Sequence, residues 1–225
     1  AYANNYVVWG VEALHQFDTA TGLEFLATAV QYLPELLAGM PNELTVFLMY
    51  EVIFDETSDH PKTYREIVAQ LPADKYAAVH AQMEWGIARA WLVKAYRALI
   101  WGSREEGRAY LREAVQAGAA VDDQYRRDVV YQLRGYEIER GTEAAYAAAD
   151  RLDEEFKLAM PAAKLPSLAS AMRLAQAFEH YNAGQNEAVP SEILRAFRMD
   201  PRTMLNRGAL SILVRSAMQT RLGAK

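Results

Sequence analysis

Apolar residues recur three and four positions apart along almost the whole chain, and no convincing run alternates with period two. That spacing puts one face of a helix in a core, whereas a half-buried strand needs alternation. Helix breakers interrupt the pattern at Asp18–Thr19, Pro34 to Asn42, Asp59–His60–Pro61 and Leu71–Pro72. They recur at Gly102–Ser103, Gly118 to Asp122, Gly141–Thr142, Pro161 to Pro166, Gly184–Gln185 and Asp200–Pro201. About eleven helices lie between the breaks. Ser103 before Arg-Glu-Glu, Thr142 before Glu143, and Asp200 before Pro201 read as helix caps. The 39 alanines, against 12 glycines and 8 prolines, favour helix and allow close helix approach. The chain is expected to be all-α, with successive helices packed as antiparallel hairpins because the connections are short.

The hairpins repeat a tetratricopeptide-like register: a large residue, small residues where two helices cross, then a proline. Residues 4–34 carry Tyr6, Trp9, Gly10, Ala13, Gly22, Leu26, Ala29 and Pro34 in it. Residues 88–119 supply Trp91, Ala95, Ala98, Gly107, Leu111 and Ala114, with Ala119 in place of the proline, and residues 170–201 supply Ala177, His180, Val189, Ile193, Ala196 and Pro201. The stretch 122–160 reads as a hairpin broken at Gly141, with polar Asp150 and Asp153 where packing residues belong. The expectation is a single domain over 1–225: an irregular tetratricopeptide-like α/α superhelix closed by a capping helix over 202–222. A compact helical bundle is the alternative.

Composition excludes more chemistry than it suggests. The chain is 52% hydrophobic, which rules out a disordered segment, and without cysteine it has no disulfide framework, thiolate metal site or cysteine nucleophile. Its net charge of −5 speaks against nucleic acid as a partner. That charge is segregated. Residues 1–60 hold nine acids and no Lys or Arg, while residues 195–225 hold seven bases and one acid. The longest apolar stretch, Val46 to Phe54, is interrupted by Glu51 and is far short of the roughly 20 residues of a membrane span. With no leader-like run, the chain is expected to be cytoplasmic. Starting at Ala1 rather than Met, it reads as a processed chain or a fragment.

No constellation names a reaction. His80 and Glu84 stand four apart on a helix expected to run from Ala73 to Trp101, but no His-Glu-x-x-His accompanies them, and no metal, cofactor or catalytic residue is expected. Glu51, in the most hydrophobic helix, is expected to face a groove or pair with a base rather than act as a buried catalytic acid. Trp85, Tyr96 and Trp101 share one long helix with Trp91 and are candidate contact residues; Trp91 falls at a packing position. Beyond Asp200, Leu205, Ala209, Ile212, Leu213 and Ser216 form a stripe from which Arg207 and Arg215 point away. Those two arginines are candidates for contact with a glycan or an anionic surface.

The segment Leu194 to Ser216, carried by Asp200, Pro201, Arg202, Asn206, Arg207, Gly208, Leu213, Arg215 and Ser216, resembles the end of the helical C-terminal region of some bacterial family 2 glycosyltransferases. Tyr6-Val-Val-Trp-Gly-Val-Glu-Ala-Leu14 is similar to the first helix of that region. The resemblance implies a preceding α/β catalytic domain with a metal-binding Asp-x-Asp, and no Asp-x-Asp occurs here. The expected function is a non-catalytic helical interaction module that contacts a protein or its own catalytic domain. The competing expectation is a stand-alone helical enzyme or small-ligand binder with a pocket lined by Glu51, Trp85 and His80. Self-association, acidic first helices against basic last ones, is a third.

Overall fold

A computed structural model describes residues 2–54, 59–161 and 165–223. These residues form twelve α-helices and two 3-10 turns, with no strand among them. The fold class is all-α. The chain divides into two compact units, residues 1–95 with 105–120, and residues 96–104 with 121–225.

The first unit begins with the hairpin of α1 (Tyr2–His15) and α2 (Thr19–Tyr32). The helices meet at two buried glycines. A Cβ on Gly10 would lie 2.8 Å from Leu26 Cγ, and one on Gly22 would lie 2.7 Å from Leu14 Cγ. Each glycine also lies against the other's carbonyl oxygen, so the small residues of the register set the closeness of the crossing. A 3-10 turn (Pro34–Leu37) leads to α3 (Glu43–Phe54), followed by α4 (His60–Ala69). α3 packs against both α1 and α4, and it buries Leu44, Leu48 and Val52 together with Thr45, Met49 and Ile53. Burial on both sides explains its nearly unbroken apolar sequence.

Where one helix from Ala73 to Trp101 is expected, the structure has two, α5 (Ala77–Ala81) and α6 (Met83–Trp101). Gln82 makes the break. Its side chain accepts from Asn42 N–H at 2.8 Å and donates to Gly39 O at 2.9 Å, which ties this turn to the loop before α3. α7 (Arg104–Gln116) follows and buries Gly107, Leu111 and Ala114.

The second unit holds α8 (Asp123–Arg140), α9 (Thr142–Ala159), α10 (Leu168–Asn182), α11 (Val189–Met199) and α12 (Arg207–Gly223). α8 packs on α9 and α10, and α10 packs on α9, α11 and α12. Leu174, Ala177, Val189, Ile193, Ala196, Ala209 and Ile212 form a core joining α10, α11 and α12. Asp200 caps a 3-10 turn (Pro201–Leu205) rather than an α-helix, and Asn206 accepts from Ala209 N–H to start α12. The terminal helix therefore begins at Arg207. Leu205, expected in its buried stripe, is 83% exposed, whereas Ala209, Ile212 and Ser216 are buried.

Three helices end in the same way. The N–H pattern at the ends of α1, α7 and α10 is a Schellman turn with a left-handed residue at its centre. Glycine fills that position at Gly118 (φ 73°) and Gly184 (φ 74°), but phenylalanine fills it at Phe17 (φ 60°).

Candidate functional site

α8 has two apolar faces, and the described residues leave one of them uncovered. Tyr125, Val129 and Leu133, at four-residue spacing, are buried. Tyr131 and Ile138 lie elsewhere on the helix and are 76% and 88% exposed. Gly135 sits between them in sequence, and a Cβ added there would meet nothing within 4 Å. α10 faces this surface with Ala171, Leu174, Ala175 and Phe178. Together with Pro166 and the 3-10 turn, the two helices enclose a groove of about 960 Å³.

The floor of the groove is apolar and its edge is cationic. Arg126, Arg127, Arg134 and Arg202 line it, against the acids Asp123 and Glu179. Arg134 is tied to Glu137 and to Glu179 (2.6 Å); burial works against its charge, but these two carboxylates hold its pKa above the ordinary value. Arg202 donates to Asp200 at 2.9 Å and to Leu165 O at 2.9 Å. The pair at the start of α8 is less neutralised. Arg126 lies 3.8 Å from the exposed Asp123, and Arg127 donates to the neutral Gln124 at 2.7 Å.

Two buried acids fix the end of the groove. Asp153 of α9 accepts the N–H of Leu168 at 3.0 Å, and Asp200 accepts the N–H of Ser167 at 3.0 Å. Burial pushes the Asp153 carboxyl up. Burial also acts to raise Asp200, but hydrogen bonds from Arg202 and from the Ser167 backbone hold it below the usual range. Asp153, out of place as a packing residue in the sequence, is thus the acceptor for the first turn of α10.

The residues singled out from the sequence do not converge. Glu51 pairs with His15 at 3.1 Å, joining α3 to α1. Trp85 is half-buried beneath the Arg89 guanidinium, 5.1 Å from the ring centre, and lines a smaller cleft of about 200 Å³ that neither Glu51 nor His80 lines. The His80 ring lies 2.9 Å from Leu71 O, while Glu84 pairs with Arg65 at 3.1 Å; the helix break at Gln82 separates the two. Tyr96 is buried, its ring 5.9 Å from Tyr125, because α6 turns that side into the core of the second unit; it has no surface to offer a partner. Trp101 is exposed and packs edge-on against Tyr136. Arg207 and Arg215 are exposed and lie outside the groove lining.

Two features of the sequence mark the groove residues. Tyr131, Gly135 and Ile138 recur at helical spacing on a side of α8 separate from its core residues, and Gly135 stands in a helix interior. Comparison of the chain with protein-family models, with curated proteins and with solved structures gives no match.

Proposed function

We propose that this chain is a non-catalytic helical interaction module, tetratricopeptide-like in its hairpins, whose α8–α10 groove takes an acidic amphipathic helical segment of a protein. Gly135 carries the reading. Glycine in a helix interior costs about 1 kcal/mol relative to alanine, and among the described residues nothing lies within 4 Å of the Cβ that Gly135 lacks. Close approach by a docked backbone would use that space. The exposed Tyr131 and Ile138 supply apolar contact, and the arginines supply the complement to carboxylates. The probe is a labelled peptide of about four helical turns with Leu on one face and Glu on the other. Binding in the micromolar range is expected, weakened at least tenfold by Gly135→Trp, which fills the groove. A Lys version of the peptide that binds as well as the Glu version, or a Gly135→Trp protein that binds unchanged, rejects the reading.

The finer assignment, to the accessory C-terminal region of a cytoplasmic bacterial family 2 glycosyltransferase, rests on the resemblance carried by the segments Leu194 to Ser216 and Tyr6 to Leu14. Several of those residues shape the chain turn: Asp200 and Asn206 cap, Gly208 lies against Phe178, and Arg202 binds Asp200. An encoded α/β domain with an Asp-x-Asp ahead of Ala1 supports this assignment, and a start codon at that point removes it.

A further inference from the structure

Phe17 occupies the left-handed position of the turn between α1 and α2, at φ 60°, where the equivalent turns use Gly118 and Gly184. A phenylalanine there strains the backbone. No burial compensates it, since Phe17 is 65% exposed. Asp18 follows directly, and Glu12 and Glu24 flank the turn in a stretch that has no Lys or Arg from residue 1 to residue 60. The tip of this hairpin is therefore an exposed aromatic set among acids. The groove of the second unit has the opposite character, an apolar floor of Val130, Leu174 and Phe178 with Arg126 and Arg127 at one end.

We infer that the α1–α2 turn of one copy docks in the α8–α10 groove of a second copy, with Phe17 on the groove floor and Asp18 toward Arg126 and Arg127. The inference rests on the docking reading above for its chemistry, apolar contact beside carboxylates, and names as occupant the hairpin tip of a second copy in place of a separate helix. Its two surfaces differ, so the contact is heterologous and assembles copies head to tail. Charge complementarity makes it salt-sensitive.

The test is sedimentation of the full chain between about 1 and 100 µM at low and high salt. The wild type is expected to exceed the 25.3 kDa of one chain at the upper end in low salt, and to fall back toward it in high salt. Phe17→Gly is expected to raise Tm by about 2–4 °C, because the strain is gone, and yet to leave only monomer. Gly135→Trp is also expected to be monomeric. Mixed in equal amounts the two variants should form a dimer and nothing larger, since one keeps the groove and the other keeps the tip. A wild type that stays monomeric overturns the inference, as does a Phe17→Gly protein that still associates, or a mixture with no dimer. Peptide binding at the groove without self-association leaves the docking reading standing and removes only the second copy as occupant.

Discussion

His60 is buried with its ring centre 3.9 Å from that of Trp91. Burial, and then the nearby Lys94, lower its pKa to about 4 from the ordinary 6.5, opposed by a hydrogen bond with the Ile87 backbone and by Asp59. The folded state therefore holds a neutral ring that the unfolded chain protonates more readily. This contribution is complete above pH 6.5 and is lost as pH falls toward 4, on the order of 3 kcal/mol across the window. Urea unfolding between pH 6.5 and 5 is expected to show a falling midpoint, and His60→Gln should flatten that part of the profile. The glycines separate in the same kind of measurement. Gly10→Ala forces a methyl against Leu26 Cγ at 2.8 Å and is expected to destabilise by about 1–2 kcal/mol, overpacking outweighing the gain in helix propensity. Gly135→Ala meets nothing and is expected to stabilise by about 0.5–1 kcal/mol.

Helix α10 shows how an element can be anchored by residues distant in sequence. Its first N–H groups find acceptors in Ser167, which caps Ser170 N–H locally, and in Asp153, fifteen residues before Leu168. The amide of Leu168 is therefore expected to exchange with deuterium more slowly than an ordinary first-turn amide, and Asp153→Ala should release it. Asp153→Asn, which keeps an acceptor, should hold it back. Helices of this kind were legible from the three- and four-residue spacing, and the Gly10–Gly22 crossing was legible because small residues at matched positions leave few other uses. The division between α5 and α6 was not, since it depends on Gln82 reaching a loop forty residues earlier in the chain. The terminal helix starts later than Asp200–Pro201 suggests because that pair is an equally good signal for a 3-10 turn. The groove was hidden for a related reason. Tyr131 and Ile138 look like core residues until α9 and α10 show which side of α8 is already covered.

Across the whole molecule, the mild net charge conceals a partition, acids alone over residues 1–60 and a surplus of bases over 195–225. The groove adds arginines from α8 that the end-to-end count could not single out, because acids such as Asp122, Asp123 and Asp128 stand beside them in sequence. Among the described residues no helix is long and apolar enough to cross a membrane. The four tryptophans are also partitioned. Trp9, Trp85 and Trp91 belong to the first unit, and Trp101 alone belongs to the second. The exposed indole of Trp101 packs against Tyr136, whereas Trp91 meets His60 edge-on and stacks with Tyr110. Excitation at the red edge of the absorption band, which tyrosine does not share, thus gives each unit its own optical reporter. A Trp101→Phe chain emits from the first unit only, and the difference from the parent spectrum isolates the second.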